Sequence, residues 1–301
     1  MKKMIFSLLL LQTFSAAKAF AANPSVDFEI DAGAQQDSNL TVSEIDKKSN
    51  QSDLATLLNA KADAKWKAAD EKLSISGSYA YSSKTYQQYD DFDLAIHQLS
   101  ADANYNFTAF TAGANYFYAD ANLGGNDFLN LSQTSLYISK LFNDRIYLRG
   151  ASNFQNKEFS KLSSRNADNK GVSGDAFIFF NQGKTFVSVG IATENENAKA
   201  HEFDYKGKSI KARVSNKFLL WRKENKLQTG IRLVDRDYSG ITAEINKKRS
   251  DKSYVADIEW EVGLSKNISI ATKVERGNYN SNLPSADYSD TNTSLLLKIR
   301  F

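Results

Sequence analysis

Between residues 254 and 275 the chain alternates apolar and polar side chains with a period of two. Ile268, Ile270 and Val274 share one face, while Ser269, Lys273 and Glu275 share the other, the pattern of a β-strand wetted on one side only. From Tyr254 to Val262 the even positions are apolar and Asp257, Glu259 and Glu261 point the opposite way. A soluble core rarely tolerates three neighbouring carboxylates on an inner face, so the acidic side must meet water.

Segments of this kind predict strands over residues 26–36, 53–67, 72–84, 92–107, 108–120, 127–142 and 145–156. A second set covers 172–181, 184–194, 207–220, 226–237, 252–264, 267–278 and 290–301. The total is about 14, an even number that suits a closed antiparallel transmembrane β-barrel. The connections alternate in length. Ala69-Asp70-Glu71, Phe107-Thr108, Asn143-Asp144, Asn181 to Lys184, Arg222 to Asn225 and Ser265-Lys266 read as tight periplasmic turns. Gln36 to Ser52, Ser160 to Val172, Asn195 to Lys206, Ser239 to Asp251 and Ser281 to Ser289 read as longer polar extracellular loops. Any of these is expected to lie in solvent by default, with 160–172 and 239–251 the candidates for folding inward.

Mean hydropathy is −0.47, and no stretch after Ala22 is apolar enough for a membrane helix. A barrel escapes this criterion because only alternate residues touch lipid. The basic start Met1-Lys2-Lys3-Met4, the short apolar run Ile5 to Leu11 and the small residues around Ala16 to Ala22 predict a secretory signal peptide over 1–21, cut near Ala21 or Ala22. Residues 22–301 then form one barrel domain, placed in the outer membrane of a Gram-negative cell. The absence of cysteine leaves packing and hydrogen-bonded closure to stabilise it.

Aromatic residues sort by strand end. Trp66, Trp221 and Trp260, with Phe107, Phe142, Phe180, Phe186 and Phe301, fall near the periplasmic ends. Tyr81, Tyr118, Tyr238, Tyr254, Tyr279 and Tyr288 fall near the outer ends, so two interfacial girdles are predicted. The only prolines, Pro24 and Pro284, lie outside the predicted strands. The chain closes with Leu295, Leu297, Ile299 and a terminal Phe301 on one face, which resembles the signal read by the β-barrel assembly machinery.

Charge changes the picture of the interior. If the last strand pairs with the first, Lys298 and Arg300 lie beside Asp27, Glu29 and Asp31, with Lys61, Asp63, Lys65 and Lys67 on the next strand. Parity also turns Lys211, Arg213, Arg232, Asp257, Glu259, Glu261, Lys273 and Glu275 inward. The two signs interleave instead of forming the single-sign rings of a sharply selective pore, so a hydrated, charged lumen is predicted. Around 14 strands fall between a barrel filled by side chains and an open porin.

No enzyme is expected. The two histidines, His97 and His201, are far apart in sequence and no Gly-x-Ser-x-Gly elbow occurs, so no catalytic residue, metal ligand or cofactor site is nominated. A net charge of +3 with dispersed lysines also argues against nucleic acid. The compact cluster Lys247-Lys248-Arg249 suits solvent or lipopolysaccharide phosphates.

Asp37-Ser38-Asn39 after the first strand, and Asn280-Ser281-Asn282 before a closing strand that ends in Phe301, resemble pieces of the C-terminal barrel of surface lipoprotein assembly modifiers. Length and strand number are also similar to monomeric porins. The modifier family carries a helical tetratricopeptide-repeat region ahead of its barrel, without counterpart in this sequence. The porin resemblance implies passive passage of small hydrophilic solutes, the leading expectation. The modifier resemblance implies export of lipoprotein, with polysaccharide export and a structural or adhesive role as further alternatives. Outer-membrane lipid, lipopolysaccharide and the assembly machinery are the expected partners.

Overall fold

The computed structural model describes residues 21–301, so the predicted signal peptide lies outside the described residues apart from its cleavage region. The strands are β1 (Ala21–Asp37), β2 (Thr41–Val42), β3 (Lys47–Lys48), β4 (Asp53–Ala68), β5 (Leu73–Tyr86), β6 (Leu94–Asn106), β7 (Thr111–Leu123) and β8 (Asn126–Phe142). They continue as β9 (Ile146–Phe159), β10 (Ala167–Phe180), β11 (Thr185–Ala198), β12 (Tyr205–Leu220), β13 (Lys223–Thr242), β14 (Lys247–Gly263), β15 (Ile268–Ser281) and β16 (Tyr288–Arg300). Strands β1 and β4 to β16 form one closed antiparallel barrel, with β1 paired to both β4 and β16. The short β2 and β3 make a separate hairpin. Closure leaves no unpaired strand edge in lipid, where an unsatisfied backbone group would cost several kcal/mol (~).

Each of the 14 predicted strands has its counterpart, and the differences gather at the outer ends. There β10 starts at Ala167, β11 runs to Ala198, β13 to Thr242, and β14 starts at Lys247. These extensions lack a continuous apolar face, because the wall continues beyond the lipid and the two-period contrast disappears while the hydrogen-bonded ladder does not. Of the segments considered as inward loops, 239–251 is therefore mostly strand, and 160–172 is strand from Ala167 onward.

At the other end, β12 and β13 are joined by Trp221 and Arg222, both with positive φ (51° and 61°), instead of by residues 222–225. A two-residue hairpin needs this left-handed pair to match strand twist. Leu220 pairs with Lys223 and Leu219 with Glu224, extending the ladder through charges that sequence reading assigned to a turn. Pro24 lies within β1, at the register shift between Ala22 and Ser25 where its missing N–H breaks no regular pairing.

Four outer loops share one closing device. A single 3-10 turn, at Asp90–Phe92, Ser163–Arg165, His201–Phe203 or Pro284–Ala286, is followed by Asp93, Asn166, Asp204 or Asp287. The side-chain oxygen of that residue accepts the backbone N–H of Tyr86, Phe159, Ala198 or Ser281, at 2.7, 2.8, 2.6 and 3.2 Å. A local side-chain acceptor thus satisfies the last strand donor and turns the chain back.

Candidate functional site: a charged lumen under a folded-in loop

Register fixes the inner face. Val26, Phe28 and Ile30 are exposed on the outside of β1, so Asp27, Glu29 and Asp31 face the lumen. The same parity turns Leu295 and Leu297 outward on β16 and Lys298 and Arg300 inward. Glu29 pairs with Arg300 and Asp31 with Lys298 across the β1–β16 seam, whereas Asp27 lies opposite Asp63 of β4. Arg300 donates to Glu29 and to Glu261, each at 2.6 Å, and Ser269 donates to Glu261 at 2.8 Å. Lys298 reaches Glu259 at 3.3 Å, and Lys61 pairs with Asp63 of its own strand at 2.8 Å. The Oδ1 of Asp31 is buried without a hydrogen-bond partner.

This cluster staples the first strand to the last three. Substituting Lys298→Glu and Arg300→Glu together places extra carboxylates beside Glu29, Glu259 and Glu261, and the barrel should lose heat resistance. The band of folded protein on unheated gels should convert to the unfolded position at a lower temperature; unchanged conversion would remove this closing role.

Higher in the lumen, ion pairs span three strands by passing over a glycine. Asp175 of β10 and Lys211 of β12 meet at 2.9 Å, and both are register partners of Gly190. Arg213 and Asp257 meet at 3.1 Å over Gly230. Arg236 and Glu194 approach to 3.5 Å over Gly207. A Cβ on Gly190 would lie 2.2 Å from the Lys211 side chain, and one on Gly230 would lie 2.7 Å from the Asp257 carboxylate. The missing side chain is what lets charges two strands apart touch. Sequence reading singled out Lys211, Arg213 and Asp257 but missed Asp175, Glu194, Arg236 and the glycines between them, although an inward-parity glycine flanked by opposite charges was a usable signal.

Lys273 pairs with Glu275 at 2.7 Å. Arg232 has no hydrogen-bond or ion partner among the described residues and lines a cavity of about 300 Å³ with Glu44, Asp46 and Arg249. His97 falls on the outer wall, its Nδ1 2.8 Å from the Tyr79 hydroxyl, and His201 is exposed beside Asp204 at 2.6 Å. No group of three or more His, Cys, Asp or Glu is arranged to hold a metal among the described residues.

The mouth holds what sequence reading missed. The first loop, residues 38–52, folds into the barrel instead of standing in solvent. Its hairpin is tied by Leu40 and Gln51 backbone groups at 3.0 Å, and its tip residue Asp46 is left-handed, with φ 56°. Leu40 is fully buried and packs with Val42 and Phe92, against Tyr86, Tyr89, Leu123 and Phe128. Ile45 bridges to a second cluster of Ala121, Leu129 and Phe159. These partners come from the outer ends of β5 to β9, where apolar side chains occupy inward parity. That reversal was visible in the sequence, and it marks the seat of the loop.

The opposite side of the hairpin is held by charge. Arg249 of β14 donates to both Asp46 oxygens, at 2.9 and 2.8 Å, and Arg165 donates to Asp46 at 2.6 Å. Burial pushes the Asp46 carboxyl up, but hydrogen bonds and charge from Arg249 and Arg165 outweigh this and hold it below the usual carboxylate range. Lys48 donates to the Pro284 and Asp287 carbonyls, both at 2.6 Å, and Lys47 sits 4.3 Å from the centre of the Phe92 ring. The loop thus touches the β5–β9 side, β14 and the turn before β16. Arg249, grouped with Lys247 and Lys248 as a solvent-facing cluster in the sequence, is buried at 6 % exposure and is the central anchor.

Several outer aromatic residues also turn inward. Tyr81, Tyr118 and Tyr254 lie on the outer face as a girdle requires. Tyr238, Tyr279 and Tyr288 instead line the mouth, with Tyr279 and Tyr288 stacked at 4.5 Å. At the periplasmic end Phe186 also points inward beside Phe179, at 6.4 Å. Trp221 and Phe301 stay on the exposed rim.

A closed antiparallel barrel with an apolar outer belt and a charged interior defines an outer-membrane barrel. The sequence profile of the family described as surface lipoprotein assembly modifier matches residues 20–297, and the chain belongs to that family. No curated protein sequence matches it. Among solved structures it is similar to the outer-membrane protein OmpT of Vibrio cholerae in its trimer form, with TM-score 0.56, 8% identity, and 93% and 100% of the two chains covered. It is similar to CdiB from Acinetobacter baumannii, with TM-score 0.52, 10% identity, and 92% and 60% covered. An anion-selective porin from Comamonas acidovorans gives TM-score 0.50 at 10% identity, with 93% and 99% covered. At these identities the likeness shows the fold alone.

Proposed function

We propose that this barrel is an export conduit for a surface lipoprotein, held shut by its first loop between export events. The observation that carries the reading is the seating of residues 38–52 across the mouth, by apolar contacts on one side and the Asp46–Arg249–Arg165 cluster on the other. A passive channel for small hydrophilic solutes needs a standing aqueous path, and a loop anchored on opposing walls works against one. Membership of the modifier family supports the same reading. In this scheme the lumen residues Asp27, Glu29, Asp31, Lys61, Lys211, Arg213, Arg232, Asp257, Glu259, Glu261, Lys273, Lys298 and Arg300 form a wetted wall that presents no continuous apolar surface to a passing chain. Leu297, Ile299 and Phe301, on the outer face of β16, are the strand side offered to the assembly machinery.

Deleting the protein from its own cell and labelling intact cells with a membrane-impermeant biotin reagent tests the export reading. At least one lipoprotein should disappear from the labelled fraction while its total amount stays constant. An unchanged labelled set, with reproducible channel steps from the purified barrel, would favour the passive channel instead.

A further inference from the structure

Register reveals a cationic band on the outside of the barrel that neither the lumen nor the loop uses. Above the lipid-facing Val172 of β10, the next outward residue is Lys170. Above Ile210 of β12 come Lys208 and then Lys206. Above Tyr254 of β14 comes Lys252, and above Val274 of β15 comes Arg276. All five are exposed. The band is laterally continuous, since Lys208 is the register partner of Thr193 on one side and Asp235 on the other, and Asp235 is the partner of Lys252. The four lysines have no ion pair or hydrogen-bond partner among the described residues, and Arg276 uses one guanidinium nitrogen on Thr291, at 2.8 Å. Asp235 and Asp237 are the acids within the band, and Asp235 has a buried carboxylate oxygen without a partner.

The opposite side of the barrel at the corresponding height is different. There the outward residues of β5 to β9 are Tyr81, His97, Tyr118 with Asp120, Asn130, and Asn156 with Glu158. None is a lysine or arginine. The asymmetry is therefore specific to β10–β15 and cannot be a general solubilising rim.

Height and sign select the ligand. The band begins at the first polar position above the apolar belt, on the side of the long loop and away from the chain termini. In the outer leaflet that is the level of the phosphates of a lipid whose acyl chains lie against Val172, Ile191, Ile210 and Tyr254 below. Several lysines and an arginine spread over neighbouring strands suit a lipid with more than one phosphate better than a single-phosphate headgroup. Thr193, Asn195 and Asn278 supply uncharged hydrogen-bonding groups among the cations, as a phosphorylated sugar requires.

We propose that the outer wall formed by β10–β15 binds lipopolysaccharide, with Lys170, Lys208, Lys252 and Arg276 holding its lipid A phosphates and Lys206 reaching the inner core. The site is independent of the export reading, because it lies on the opposite face of the wall from the lumen.

The test uses the mature protein extracted from outer membranes in mild detergent, with bound lipopolysaccharide quantified per barrel. The quadruple variant Lys170→Gln, Lys208→Gln, Lys252→Gln, Arg276→Gln should retain at least tenfold less. A control variant of equal charge change at the periplasmic turns, Lys72→Gln, Arg222→Gln, Lys223→Gln, Lys266→Gln, should retain the normal amount. Both must show folded, heat-modifiable migration; if the quadruple variant does not fold, Lys208→Gln with Lys252→Gln serves, with an expected loss of about threefold. Stripped wild-type protein should be stabilised on heating by purified lipid A and much less by dephosphorylated lipid A or phosphatidylglycerol. Equal retention by both variants, or equal stabilisation by the three lipids, would overturn the proposal.

Discussion

Replacing residues 38–52 with Asn-Gly should turn a barrel that is nearly silent in a planar bilayer into one with reproducible channel steps. The replacement is geometrically mild. Asp37 and Asp53 are the last register partners of β1 and β4, so a two-residue turn of the kind favoured in hairpins closes the gap without disturbing the ladder. What is lost is the plug: Leu40, Val42 and Ile45 leave the apolar seat, and Asp46 leaves Arg165 and Arg249. A lumen of this strand number lies between filled and open barrels, so removing its folded-in segment should raise mean conductance by about tenfold or more. Many of the remaining wall charges are paired within the wall, as in Lys211–Asp175 and Arg213–Asp257, while Arg232 and the freed Arg165 and Arg249 should leave a modest preference for anions. Equal conductance before and after the replacement would show that residues 38–52 do not close the mouth.

The second large effect concerns the anchor. Arg249 and Asp46 each have side chains only 7% exposed, and removing one member of such a pair leaves the other charge buried and underbonded. Complete loss of a buried partner costs about 3–5 kcal/mol, but here Arg165 still pairs with Asp46 and the loop can escape to water, so Arg249→Ala should cost the docked loop about 2–3 kcal/mol. That corresponds to about a 30- to 150-fold larger undocked population, read directly as faster trypsin cleavage after Lys47 and Lys48 when reclosing outpaces cleavage. In the docked loop Lys48 is tied to the Pro284 and Asp287 carbonyls, which is why the wild type should resist. Cleavage at the wild-type rate would mean that the apolar seat alone holds the loop.

The same cluster has a defined pH dependence. Because the folded Asp46 pKa lies below its ordinary value of 3.8, its contribution is fully present above 3.8 and is lost as pH falls through the depressed value. Bilayer recordings at neutral and mildly acidic pH should therefore look alike, with opening only well below 3.8. Opening in the range where histidine titrates would assign the latch to another group.

The class of fold was legible because a transmembrane barrel writes its lipid belt directly into the period of the chain. Ile268, Ile270 and Val274 must be apolar whatever the neighbouring strands do, since each meets lipid by itself. The pairing of Glu29 with Arg300 was also within reach, because closing a sheet of consecutive hairpins leaves only the first and last strands to meet. Strand ends were less legible, as with β13, which continues to Thr242 through Ser239 and Gly240 after the regular alternation has stopped.

The sequence by itself determined the outer surface: the strand count, the inward parity of the charged residues and the apolar face ending at Phe301 all follow from local alternation against a uniform solvent. Only the tertiary structure decided the interior of the mouth. The partners of residues 38–52 come from β5 to β9 on one side and β14 on another, so the favourable terms are contacts distant in sequence that no single segment encodes. A polar loop with Asp46 at its tip has the composition of a solvent-exposed loop until Arg249 and Arg165 converge on it. The pairing of Lys211 with Asp175 across Gly190 likewise needs three strands in register before it exists. Local patterning can specify which face of a strand meets lipid or water, but the closure of the barrel determines which inward groups face one another.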